Sequence, residues 1–122
     1  MSDRTIALVG HCGPDVFMLK TAMQRIAPTS PITVVNDTQS LDAHVEDGAI
    51  LLVNRVLDGA FANDDGIELI RRVTAGDDAA RALLISNLPN AQDEAVSAGA
   101  SPGFGKSQLY DAETADRLRA LL

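Results

Sequence analysis

Short aliphatic runs alternate with segments of helical period along this chain. Residues 5–9 (TIALV), 32–35 (ITVV), 49–53 (AILLV) and 82–85 (ALLI) are apolar, β-prone and bounded by turn-forming residues, so each predicts a strand. The run 49–53 has no polar position, which is the pattern of a strand buried on both faces. Residues 15–27 carry Val16, Leu19, Met23 and Ile26 at helical spacing, with Pro14 suited to a first turn and Pro28 and Pro31 bracketing the exit. Residues 65–74 set Ile67, Leu69, Ile70 and Val73 on one side of a helix and Arg71 and Arg72 on the other. Shorter helices are predicted over 40–46, with Ser40 as N-cap, and over 92–98. A final helix over 111–122 uses Ala115, Leu118, Leu121 and Leu122, and residues 103–105 read as a short fifth strand. A polar loop containing glycine spans 54–64.

Five strand–helix alternations favour an α/β fold with a parallel sheet covered on both faces. The 122 residues amount to one domain, spanning 1–122, and 46% hydrophobic with 22% charged residues is a globular composition. Aromatics are only 3%, so the core must be aliphatic. A net charge of −7 repels phosphate backbones and anionic lipids, which makes nucleic acid and membrane poor partners. Cys12 stands alone, so an intrachain disulfide is excluded. The N-terminus lacks a basic stretch before an apolar run, and the longest apolar run is too short for a bilayer; a cytoplasmic location is the expectation.

In such sheets ligands bind at the carboxyl ends of the strands. The residues that fall there are His11 and Cys12, Asn54 and Arg55, Ser86 and Asn87, and Lys106. Four stretches, AILLVN at 49–54, DGIELIRRV at 65–73, LLIS at 83–86 and AGASPGFGK at 98–106, together resemble the receiver domain of two-component response regulators, and the likeness runs along essentially the whole chain. The resemblance implies a flavodoxin-like, doubly wound (βα)5 sheet of order 2-1-3-4-5 and a signalling context. Receiver domains hold Mg²⁺ with two acidic residues after the first strand and with the phosphoacceptor aspartate that ends the third. Mg²⁺ wants hard oxygen ligands, and the aspartate attacks the phosphoryl donor. A Ser or Thr after strand four and a Lys after strand five then contact the phosphoryl group.

This chain departs at the decisive places. The acidic pair falls on Gly10 and His11, or on His11 and Cys12 in the adjacent register, and the acceptor falls on Asn54, whose amide cannot form an aspartyl phosphate. Ser86 and Lys106 match the phosphate-sensing pair, Ser107 replaces the proline after that lysine, and the aromatic switch position falls on Gly103, beside Phe104. The resemblance therefore implies a stand-alone pseudo-receiver, not an enzyme, acting on a protein partner through the surface of helix four, strand five and helix five. Leu109 and Tyr110 are its candidate exposed apolar contacts. No cofactor is expected, and the oligomeric state stays open.

Alternatives attach to single residues. Asp58 could replace the acceptor and Asp15 the lost acidic pair, although a turn aspartate and a helix N-terminal charge are the plainer readings. Cys12, just before a helix, could be a modified thiol, or simply a small residue in a tight turn; a phosphatase-type loop would need Arg where Met18 stands. His11, Cys12 and His44 lack metal-ligand spacing, and His44 lies on a helix directed away from the strand ends. Ser86 and Lys106 could bind a small anion, with Asn54 hydrogen-bonded to the Lys106 ammonium. Arg71 and Arg72 read as solvated surface, paired with Glu68 or Asp78. A small flavodoxin-like enzyme is the remaining class, but no set of nucleophile, base and orienter collects at the strand ends.

Overall fold

The computed structural model describes residues 4–75 and 80–122. In chain order they form β1 (Ile6–Val9), α1 (Gly13–Ile26), β2 (Ile32–Val35), α2 (Thr38–Glu46), β3 (Ile50–Asn54), α3 (Gly66–Thr74), β4 (Arg81–Ile85), α4 (Pro89–Ala98), β5 (Ser101–Phe104) and α5 (Ala112–Arg119), with a 3-10 turn at Lys106–Gln108. All strands are parallel, in the order β2-β1-β3-β4-β5. The register sets Val9 level with Val35 and Val53, and Asn54 one step beyond, opposite Ile85. The carboxyl ends of all five strands thus share one edge of the sheet.

Strand alternation divides the aliphatic residues between two faces. Ala7, Val9, Leu51, Val53 and Leu84 pack with Leu41, Ile67, Ile70, Val73 and Ala95 of α2, α3 and α4. Ile6, Leu8, Ile50, Leu52 and Leu83 pack with Leu19, Met23 and Leu118 of α1 and α5, and with Phe104. Each fully buried Leu or Ile contributes roughly 1.5–3 kcal/mol, so the sheet centre is the most strongly determined part of the fold. The amphipathic pattern of residues 65–74 is realised in full: Ile67, Leu69, Ile70 and Val73 are buried, and Asp65 caps the helix by accepting from the Ile67 N–H at 3.0 Å.

Several expectations need correction. Ser40 is not the cap of α2; Asp37 is, and its carboxylate accepts the Ser40 N–H at 2.7 Å, which lets the helix begin at Thr38. That same bond holds the Asp37 carboxyl below its ordinary value. The fifth strand is Ser101–Phe104, not 103–105: Ser101 pairs with Leu83, Phe104 pairs with Ile85, and an irregularity between them accommodates Pro102 and Gly103. Proline is tolerated there because β5 is an edge strand. The Arg117 guanidinium donates to the Gly103 carbonyl, capping part of that edge from α5. Leu109 is buried at 3% exposure and is no surface contact, whereas Tyr110 is 58% exposed and lies under the Arg25 guanidinium, 5.2 Å from the ring centre. Leu118 packs inward as expected, but Leu122 is exposed because α5 ends at Arg119. Arg71 pairs with Glu68 and Arg72 with Asp42; Asp78 lies outside the described residues. Among the described residues, no helix is long and apolar enough to cross a membrane.

Candidate functional site

The chain leaves β1 at Gly10, whose φ of +73° favours glycine. A Cβ at this position would lie 2.6 Å from Leu57 Cδ2 and 3.0 Å from Leu57 Cα. Leu57, only 6% exposed, therefore fills the space that a side chain at position 10 would need. Its loop is tied down on every side. The Leu57 N–H donates to Asp64 O at 2.7 Å, the Asp58 N–H to Gly10 O at 2.9 Å, and the Ala60 N–H to Asn36 O at 2.7 Å. Isolated bridges join Asp37 to Ala60 and Val56 to Asp65. The loop 54–64 thus folds back across the ends of β1 and β2.

Asn54 ends β3 with its amide nitrogen donating to Gly10 O at 3.0 Å and to Val56 O at 2.8 Å. Both amide hydrogens are used, and both acceptors are carbonyls. An aspartate here would present only acceptors to them, so the local geometry requires the amide. The expected hydrogen bond from the Lys106 ammonium to Asn54 is not formed, because Lys106 donates to Asp15 instead. Asp58 reaches the site through its backbone, and its side chain is exposed.

His11 does not stand in the crevice as an acidic-pair substitute. It is 3% exposed, and its Nε2–H donates to Leu52 O at 2.8 Å. That bond fixes the tautomer and leaves Nδ1 a buried acceptor without a partner among the described residues. Burial holds the imidazole below its ordinary value of 6.5; the Leu52 carbonyl opposes this, while Lys106 reinforces it. Cys12 occupies the N-cap position of α1, partly exposed, and makes no capping hydrogen bond.

Asp15, in the first turn of α1, pairs with Lys106 just after β5. The Lys106 ammonium holds the Asp15 carboxyl below its ordinary value of 3.8, against some desolvation and with help from the Cys12 thiol. Asp15 thus proves to be more than a helix-terminal charge, and Lys106 is already neutralised. Ser86 is also engaged: its Oγ accepts the Leu88 N–H at 3.1 Å, and its backbone N–H donates to Phe104 O at 3.0 Å. Asn87 Oδ1 accepts both the Ser107 hydroxyl at 3.0 Å and the Ser107 N–H at 3.3 Å, clamping the β4–α4 turn to the β5–α5 turn. Gln92 Nε2 bridges Leu84 O and Ser86 O where β4 and β5 part. Phe104, beside the switch position at Gly103, is 1% exposed.

The structure therefore brings Gly10, Asn54 and Leu57 together on one side, and Asp15 and Lys106 on the other. Sequence reasoning missed Leu57 and Gln92, and it placed Asn87 at the strand ends without giving it a partner. The one available signal was the Val56–Leu57 pair, large apolar residues directly after the strand end in a loop otherwise bounded by polar residues. The residues do not fit the divalent cation of a receiver domain. Gly10 supplies no ligand, His11 points into the core, the Asn54 amide is turned by its donors, and Asp15 is taken by Lys106. Among the described residues no group of three His, Cys, Asp or Glu could hold a metal ion.

No protein-family model matches this chain, and no curated protein matches it by sequence. Solved structures do match. The signal receiver domain of a DNA-binding response regulator (merR) from Colwellia psychrerythraea 34H superposes with a TM-score of 0.74 at 14% identity, covering 98% of both chains. The chain has the receiver-domain fold. A Burkholderia pseudomallei response regulator, solved with a phosphorylated aspartic acid, a calcium ion and citrate, matches with a TM-score of 0.62 at 17% identity over 97% of this chain and 72% of its own. The Mn²⁺-bound form of response regulator Rcp1 matches with a TM-score of 0.56 at 13% identity, covering 98% and 89%. In this fold Asn54 is the last residue of β3, and Lys106 lies in the turn just after β5.

Proposed function

We propose that this chain is a receiver-like signalling module that works by protein–protein contact and without aspartyl phosphorylation. The observation that carries this reading is the Asn54 amide, which spends both hydrogens on Gly10 O and Val56 O while Leu57 packs against Gly10. The Burkholderia relative was solved with a phosphorylated aspartic acid and a bound calcium ion. Here the third strand ends in an amide, and the carboxylates that would share a cation are absent from positions 10 and 11. With an amide at the end of β3 and the loop folded over Gly10, position 54 offers no carboxylate nucleophile to a phosphoryl donor.

The partner surface in this reading is the face of α4, β5 and α5. A cleft of about 520 Å³ opens there, lined by Gln92, Asp93, Val96, Pro102 and Arg117 among others. Val96 is 46% exposed and supplies its apolar contact, a role that Leu109 cannot take.

Amide NMR of the labelled chain with Mg²⁺ and beryllofluoride tests the reading. Unchanged Asn54, Ser86 and Lys106 resonances are expected. Saturable shifts centred on Asn54 would overturn it, and so would a gain of one phosphoryl mass on Asp58 after treatment with acetyl phosphate.

A further inference from the structure

We propose that Asp15 is a resident counter-ion for Lys106, latching the start of α1 to the β5–α5 junction in the place of an external oxyanion. This rests on the reading that no aspartyl phosphate forms at Asn54. The two residues lie 91 positions apart in the chain, yet carboxylate and ammonium are in contact. Among the ion pairs of the described residues, this one is the most sheltered: its side chains are 33% and 22% exposed, whereas Arg72 and Asp42 are 53% and 56% exposed. Shelter makes the pairing matter, because a half-buried cation stripped of its counter-ion is penalised far more than an exposed one.

The surroundings offer Lys106 no substitute. His11, close enough to feel both charges, is buried and hydrogen-bonded to Leu52 O in its neutral form. Asn54 is turned toward β1, and Asp58 is exposed. The backbone of the junction is meanwhile held from the other side, since Asn87 binds Ser107 and Phe104 is buried just upstream. Lys106 is therefore fixed at its backbone by the β4–β5 side and at its head group by α1. Removing the Asp15 side chain leaves a carboxylate-sized position on a fixed ammonium, which an external oxyanion can enter.

The test compares wild type, Asp15→Ala and the double variant Asp15→Ala/Lys106→Met. Each is melted and followed by amide NMR in sodium chloride, acetate or phosphate at matched ionic strength. Asp15→Ala is expected to melt below wild type in chloride and to recover in phosphate or acetate. Its Lys106 and Ser107 amides should shift saturably, with an anion affinity at least about tenfold above wild type. A variant that folds only when the anion is present reads the same way. The latch is overturned if Asp15→Ala melts like wild type, if no anion restores it, if restoration survives Lys106→Met, or if wild type binds the anion equally well. Beryllofluoride shifts at Asn54 of wild type would instead sink the phosphorylation-independent reading, so the two failures are distinguishable.

Discussion

The β1–β3 side and the β4–β5 side of the strand-end crevice satisfy their polar groups by different means. On the first, the loop 54–64 lies down on the sheet, filling space with Leu57 and closing backbone bonds to Gly10 and Asn36. On the second, polar side chains remain and bind one another or the backbone: Ser86 to Leu88, Asn87 to Ser107, Lys106 to Asp15. The first side carries no carboxylate at positions 10, 11 or 54, and Leu57 fills the space beside Gly10. The second holds a serine and a lysine, but each already has a partner. Retained residue identity thus says little about availability, because the same serine and lysine can serve a ligand or the fold.

If the first side is space-filling, Gly10→Ala should be the most damaging change there. It forces a side chain into a positive-φ position and onto Leu57, at a cost of about 3 kcal/mol by denaturant unfolding. Adding Leu57→Ala should give a double-mutant cost smaller than the sum of the singles; strict additivity would mean the two do not meet. Next in size, Asn54→Asp should destabilise by about 2 kcal/mol, since a carboxylate would face two carbonyls and lose both hydrogen bonds. It should also gain no phosphoryl mass with acetyl phosphate and Mg²⁺. An Asn54→Asp protein that is phosphorylated would show that the sealed side reopens easily.

A smaller effect comes from pH. The folded chain resists protonating His11, whereas the unfolded chain accepts that proton near 6.5. Stability should therefore fall as pH drops below about 6.5, with a slope approaching 1.4 kcal/mol per pH unit from this group alone. His11→Gln should flatten that part of the profile. Asp15 adds loss only at lower pH: its folded carboxyl titrates below 3.8, so its contribution is present above that value and disappears as pH falls through the folded one. The smallest change is Ser107→Ala, expected to cost about 0.5–1 kcal/mol through the hydroxyl bond to Asn87.

The strands at the centre of the sheet were legible in the sequence because an aliphatic run buried on both faces has little else to be. The pattern of residues 65–74 was equally plain, since four apolar side chains share one helical face. Ends were less so. Ser40 and Asp37 are both good caps, and the choice rests on where the chain enters from β2, which the local sequence does not encode. β5 was offset because Pro102 and Gly103 carry almost no strand preference and are placed by pairing to β4. At the site, the motifs located Asn54, Ser86 and Lys106 at the strand ends. They did not reveal Leu57, which has no period to betray it, or the partner of Lys106, which lies at the opposite end of the chain.

The Arg117 guanidinium on the Gly103 carbonyl bears on colloidal behaviour. An edge strand with free carbonyls and amides is a template on which another extended chain can grow. In β5, Pro102 removes a donor and Arg117 occupies an acceptor, so two neighbouring rungs of that edge are closed to a visiting strand. Replacing Arg117 would do more than free one guanidinium. It would reopen a seed for ribbon-like self-association along β5, visible as light scattering in concentrated solution long before any change in the melting temperature.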